Sequence, residues 1–234
     1  DINYIALTGA LGSMGRKGQT PPPPLNLVGD FGGGGMFLAL GIVSALLSIK
    51  QGGKGQVVDA AMVDGASILM TMFYAFKASG FWLDERESNA LDGAAHFYDT
   101  YECADKKFLA VGSIEPQFYS ILLEKLEISD FKFQDQHNKE LWPELKTIIK
   151  DKIKQKTRDE WADIFDGSDA CVAPVLSLSE APEHHHMKAR NSFVEVDGVI
   201  QPAPAPRFSD TAPQIKHSSV KAGENNDEIC AKFD

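Results

Sequence analysis

Little in this sequence could hold a metal ion, a nucleotide or a nucleic acid. Its three cysteines, Cys103, Cys171 and Cys230, lie far apart and form no CxxC pair. They cannot all be disulfide-bonded, so a reduced, intracellular setting is expected. The formal net charge is -10 at pH 7, with no local basic cluster to offset it. That balance excludes nucleic acid as a partner. Gly32, Gly33, Gly34 and Gly35 are not followed by the Lys-Ser/Thr of a phosphate loop, and Phe37 stands where a dinucleotide fingerprint needs its third glycine. A Gly-x-Ser-x-Gly elbow is absent as well. His184, His185 and His186 are adjacent, whereas metal ligands on a helix would be three or four apart, so a solvated run is expected and no metal site. Lysines and glycines break every apolar run, which predicts no membrane span.

What the chain does have is an acid set among apolar residues and glycine. From Leu25 to Met36 it reads Leu-Asn-Leu-Val-Gly-Asp-Phe-Gly-Gly-Gly-Gly-Met. A Gly-rich loop lets a ligand approach the backbone, and the start of the next helix favours negative charge. Asp30 there is either a helix cap or a reacting group whose basicity its surroundings tune. The segment from Met36 to Ile49 is apolar on most faces, which predicts a buried helix. Residues 56–60 read as a short strand or the lead-in to a second helix. Residues 62–81 form a second apolar helical stretch whose methionines suit either a core or a face for varied apolar ligands.

The texture changes near His96. Residues 96–112 alternate as a hairpin with a turn at Asp105-Lys106-Lys107. Helices follow, with Pro116 at a first turn, an amphipathic stretch from Leu141 to Ile153, and a Thr157-x-x-Glu160 capping box. A buried strand is expected near Val172. With metal, serine-hydrolase and phosphoryl chemistry set aside, carboxylate chemistry remains, and Asp30 and Glu115 are the two acids placed for it.

Long motifs then carry a resemblance. Asp1-Ile2-Asn3-Tyr4, the Leu25-to-Gly34 stretch, residues 53–60, Leu91-Asp92-Gly93-Ala94, residues 110–119 and residues 166–175 are together similar to the α-methylacyl-CoA racemases, within the family III CoA-transferase superfamily. The resemblance implies an α/β fold: the C-terminal part of a family III CoA-transferase, with a fragment of a large Rossmann-like domain and a small α+β domain in an interlocked homodimer. By it, residues 1–60 belong to the large domain with the catalytic loop and residues 61–95 are linker helices. Residues 96–175 are then the small domain, and 176–234 a return linker and terminal segment packing on the large domain.

The same resemblance implies epimerisation of 2-methyl-branched acyl-CoA thioesters through an enolate. Asp30 matches the family's catalytic aspartate, and the backbone N–H of Asp1 its enolate-oxygen contact. Asn26 and Glu115 match residues that orient a histidine lying just ahead of the Asp1 motif. Tyr4, Gly32 and Gly33 are assigned to CoA contact. No separate cofactor is implied, since CoA arrives as part of the substrate. The chain opens at Asp1 without that histidine and reads as a fragment or processed chain, so alone it is not expected to racemise. His96 departs from the pattern, which has proline there. Two alternatives stay open: a CoA-transferase using Asp30 as nucleophile, or an inactive acyl-CoA-binding homologue. The compartment implied is peroxisome or mitochondrion for a eukaryotic protein and cytoplasm for a bacterial one.

Overall fold

The computed structural model describes residues 1–233. They mix helix and sheet in two units, residues 1–175 and 176–233. In the first unit, α1 (Ile2–Leu7) leads through turns and prolines to a π-helix, Leu27–Gly35, which runs without a break into α2 (Met36–Lys50). The expected glycine loop is therefore helix. Its wide turns close hydrogen bonds five residues back, so the Phe31 N–H donates to the Asn26 carbonyl at 3.2 Å. Glycine permits the crossing with α3 (Met62–Leu69): a Cβ on Gly33 would stand 2.7 Å from the Ala66 nitrogen, and one on Gly65 would overlap the Gly33 carbonyl oxygen. After α3 the chain kinks at Met70 into α4 (Thr71–Ala78). Ile5, Ala10, Ala66 and Met70 form a small core here, with Val28 and Phe73 packed on it.

One expectation is corrected. No residue of α2 is buried, and Leu40 and Val43 are each 64% exposed. A helix apolar on all faces needs cover, and among the described residues this chain does not supply it. The glycines also lengthen the apolar run instead of interrupting it. Wound into helix, Leu27–Lys50 is 24 residues long and apolar enough to cross a membrane by length and composition alone. Residues 53–61 take no regular secondary structure and lead into α3, as one of the two readings had it.

A larger core follows in the same unit. Strands β1 (Tyr98–Glu102) and β2 (Phe108–Gly112) pair antiparallel, with Tyr101 opposite Leu109, and β3 (Val172–Pro174) adds antiparallel to β2. Helices α5 (Pro116–Lys125), α6 (Trp142–Ile153) and α7 (Arg158–Phe165) bury Leu122, Leu145, Ile149, Ile153 and Trp161 against Phe97 and Leu109. Each such side chain contributes about 1.5–3 kcal/mol by leaving water. The buried indoles are satisfied: Trp142 donates to the Gln136 carbonyl at 2.9 Å and Trp161 to the Ile153 carbonyl at 2.7 Å. The capping box forms, with Thr157 and Glu160 serving each other's backbone N–H.

An ion network ties the segment before the π-helix to this core. The Asp99 carboxylate, 6% exposed, takes both Arg16 nitrogens at 2.6 and 3.0 Å and the Lys146 ammonium at 2.7 Å, while Glu87 bonds Arg16 at 3.1 Å. In the second unit, α8 (His185–Ala189) precedes an antiparallel hairpin, β4 (Phe193–Val196) and β5 (Val199–Pro202), and α9 (Asn226–Cys230) comes last. The hairpin was not anticipated. Its turn, Asp197-Gly198, has φ of 52° and 78°, the left-handed pair that two-residue hairpins favour.

Candidate active site

Asp30 sits in the first turn of the π-helix with its side chain 44% exposed. Its backbone N–H donates to Asp1 Oδ1 at 2.9 Å, and Asn26 Nδ2 approaches Asp30 Oδ2 at 3.5 Å, a long and weak contact. The Asp1 backbone nitrogen stands 3.9 Å from Asp30 Oδ1. Three residues singled out from sequence, Asp1, Asn26 and Asp30, are thus brought together although two of them lie 29 positions apart. Tyr4 is in the first turn of α1 and 51% exposed. Gly33 is buried against α3, and a Cβ on Gly32 would stand 2.9 Å from the Leu27 carbonyl oxygen. Both glycines serve the packing of the π-helix.

Glu115 lies elsewhere. It is exposed at the N-cap of α5, and among the described residues no contact joins it to Asp1, Asn26 or Asp30. Its neighbour is Cys171, held at φ 53° after α7, whose carbonyl accepts the Gly112 N–H at 2.9 Å. Burial first, and then the Glu115 carboxylate, push the Cys171 thiol above its ordinary value. Cys171 also lines an open cavity of ≈710 Å³ with Met14, Met70, Phe73, Trp82 and Tyr98. The walls are mostly apolar, and neither Asp30 nor Glu115 is on them.

His96 is not at the surface of any site. It is fully buried among Phe97, Tyr119 and Phe133, with Nε2 2.7 Å from the Tyr119 hydroxyl and Nδ1 without a partner among the described residues. Burial, reinforced by His137, pushes the imidazole down to about 4. No group of three or more His, Cys, Asp or Glu residues is placed to hold a metal among the described residues.

This arrangement, an acid on a glycine-built turn with a hairpin-bearing α+β core further along the chain, can be set beside known proteins. The model of CoA-transferase family III matches residues 1–226. The chain belongs to that family. Over its whole length this family III member is 45% identical to the mouse and 44% identical to the human protein named alpha-methylacyl-CoA racemase. It spans 62% of the length of each. The fold is shared with a CAIB/BAIF family protein from Brucella suis, at a TM-score of 0.78 and 23% identity, covering 100% of this chain and 62% of that one. It is shared as well with Rv3272 from M. tuberculosis, at a TM-score of 0.74 and 19% identity, covering 97% and 60%.

One feature of the site escaped the sequence reading. The side chain of Asp1, as distinct from its backbone, was assigned nothing, and a contact made 29 positions away leaves no local pattern. The strand expected near Val172 is present as β3, but it is half-buried to exposed and not buried.

Proposed function

We propose that this family III chain carries part of the machinery of an isomerase that epimerises 2-methylacyl-CoA thioesters. The observation that carries the reading is the gathering of Asp1 and Asn26 around Asp30 on the π-helix. The naming of the 45% identical relative agrees with it. A thioester α-proton is a weak acid, so its removal needs a placed base and hydrogen bonds to the enolate oxygen. One base breaks the α C–H bond, the electron pair passes to the carbonyl oxygen, and an acid on the opposite face forms a new C–H bond. No redox change occurs. Asp30 is one of the two proton carriers, the histidine implied ahead of Asp1 is the other, and the Asp1 backbone N–H receives the enolate oxygen. Asn26 and Glu115 orient the histidine, while Tyr4, Gly32 and Gly33 flank the CoA moiety. No cofactor beyond the substrate's own CoA enters.

Glu115 has to reach Asp30 from elsewhere, which supports a homodimer in which the two residues come from different chains. The uncovered apolar faces of α2 support the same reading, and we assign them to protein contact inside a soluble intracellular enzyme. Peroxisome, mitochondrion or bacterial cytoplasm all suit the substrate.

The test uses a longer protein in which this chain is joined to the remaining length of its relatives. One epimer of a 2-methylacyl-CoA is incubated in deuterated water and the α-position followed by NMR. Deuterium entry with loss of stereochemistry is expected, and Asp30→Asn should slow it by about 10²–10⁴-fold, the usual worth of a placed acid or base. Acyl transfer to an added carboxylate without exchange would replace the isomerase by a transferase. Neither reaction would leave a binding protein.

A further inference from the structure

We infer that the Asp1 side chain, seated in the space that Gly29 leaves open, is a positioning residue that holds the Asp30 turn in π register. The inference rests on the proposed function only for its consequence in turnover. The first N–H groups of any helix lack partners within it. In an α-helical register the Asp30 N–H would donate to the Asn26 carbonyl four residues back. Here the Phe31 N–H occupies that carbonyl at 3.2 Å, five residues back, and the Asp30 N–H goes to Asp1 Oδ1 at 2.9 Å. Its own partner in π register would be Leu25, which at φ 58° lies outside the helix. Diverting one N–H to a carboxylate is therefore what leaves the Asn26 carbonyl to the next residue.

The position of that carboxylate is set from two sides. Asp1 is the N-cap of α1, its carbonyl accepting the Tyr4 and Ile5 N–H groups at 3.1 and 3.2 Å, and Ile5 is fully buried in the small core. On the other side Gly29 is buried, and a Cβ there would overlap Asp1 Oδ1 and stand 2.9 Å from Asp1 Cγ and 3.0 Å from the Met62 sulfur. A side chain at 29 and a carboxylate at 1 exclude each other. A return to α register would rotate Asp30 about the helix axis and separate its carboxylate from the present neighbours.

Amide hydrogen exchange on the 234-residue chain tests this without reference to activity. Asp1→Ala should lower protection of the Asp30 N–H roughly 10- to 100-fold, the worth of a hydrogen bond to a charged acceptor. Asp1→Asn, which keeps an acceptor oxygen, should retain most of it, and the Leu122 amide in the larger core should not change. Gly29→Ala should mimic Asp1→Ala, and the double variant should lose no more than the worse single one. In the longer protein Asp1→Ala, which leaves the backbone N–H intact, should lower kcat with KM changed little, and Asp1→Asn should recover part of kcat. Unaltered protection in Asp1→Ala, or equal loss in Asp1→Asn, would overturn the inference. If the longer protein does not epimerise, the proposed function fails while the exchange result still decides the positioning role.

Discussion

Acid should loosen the larger core through one residue, His96. Its ring is fully buried and pushed down to about 4, against an ordinary value of 6.5, with burial the main cause. The unfolded chain therefore binds this proton at a higher pH than the folded chain does. Stability is at its full value above pH 6.5, falls as pH drops, and levels off below about 4. The interval of about 2.5 pH units corresponds to about 3 kcal/mol, of which about 2 kcal/mol is lost by pH 5. His96→Gln removes the titration and keeps a partner for the buried Tyr119 hydroxyl, now 2.7 Å from Nε2. Urea unfolding followed by tryptophan fluorescence suits the assay, because Trp142 and Trp161 both sit in this core. Between pH 7.5 and 5 the wild-type chain should lose about 2 kcal/mol more than His96→Gln does, the other groups cancelling in the difference. Equal losses in the two proteins, or an imidazole signal of His96 titrating near 6.5 by NMR, would refute the reasoning.

Four further substitutions probe contacts in the same unit. Asp99→Asn weakens a carboxylate that faces both Arg16 and Lys146 and should cost about 2–3 kcal/mol in urea unfolding, below the range for fully buried pairs because Arg16 is partly solvated. Gly33→Ala forces a methyl against the Ala66 backbone and should cost about 1–3 kcal/mol, whereas Gly34→Ala, with 3.5 Å to its nearest neighbour, should be neutral or stabilising in the same measurement. Thr157→Ala removes the capping box of α7 and should cost about 1 kcal/mol, with faster amide exchange confined to its first turn.

Which of these features could be read in advance follows the range of the interaction that makes them. The hairpin at 98–112, the proline-led α5 and the Thr157-Glu160 cap are all decided within a few residues, and all are where the sequence places them. Asp197-Gly198 is equally local and was legible, but its flanking strands are short and were passed over. The π-helix was not legible. A glycine run has no side chains to declare a period, and its register depends on a carboxylate 29 residues away and on the backbone of α3. The site divides along the same line: Asp30 and Glu115 stand out as acids among apolar residues, while the bond from the Asp30 N–H to the Asp1 side chain is supplied by the fold.

Helix α2 shows the limit from the other side. A segment apolar on every face states that it will be buried, and that statement concerns the assembled protein. In this chain Leu40, Val43 and Leu47 are each more than half exposed. Leaving such a surface in water forgoes about 25 cal/mol for each Å² it would otherwise bury, a strong drive toward any complementary apolar face. The same chain leaves Glu115 apart from Asp30. In the homodimer proposed above, a second copy bringing residues 96–175 over the first would cover apolar surface and bring Glu115 toward Asp30 in a single contact.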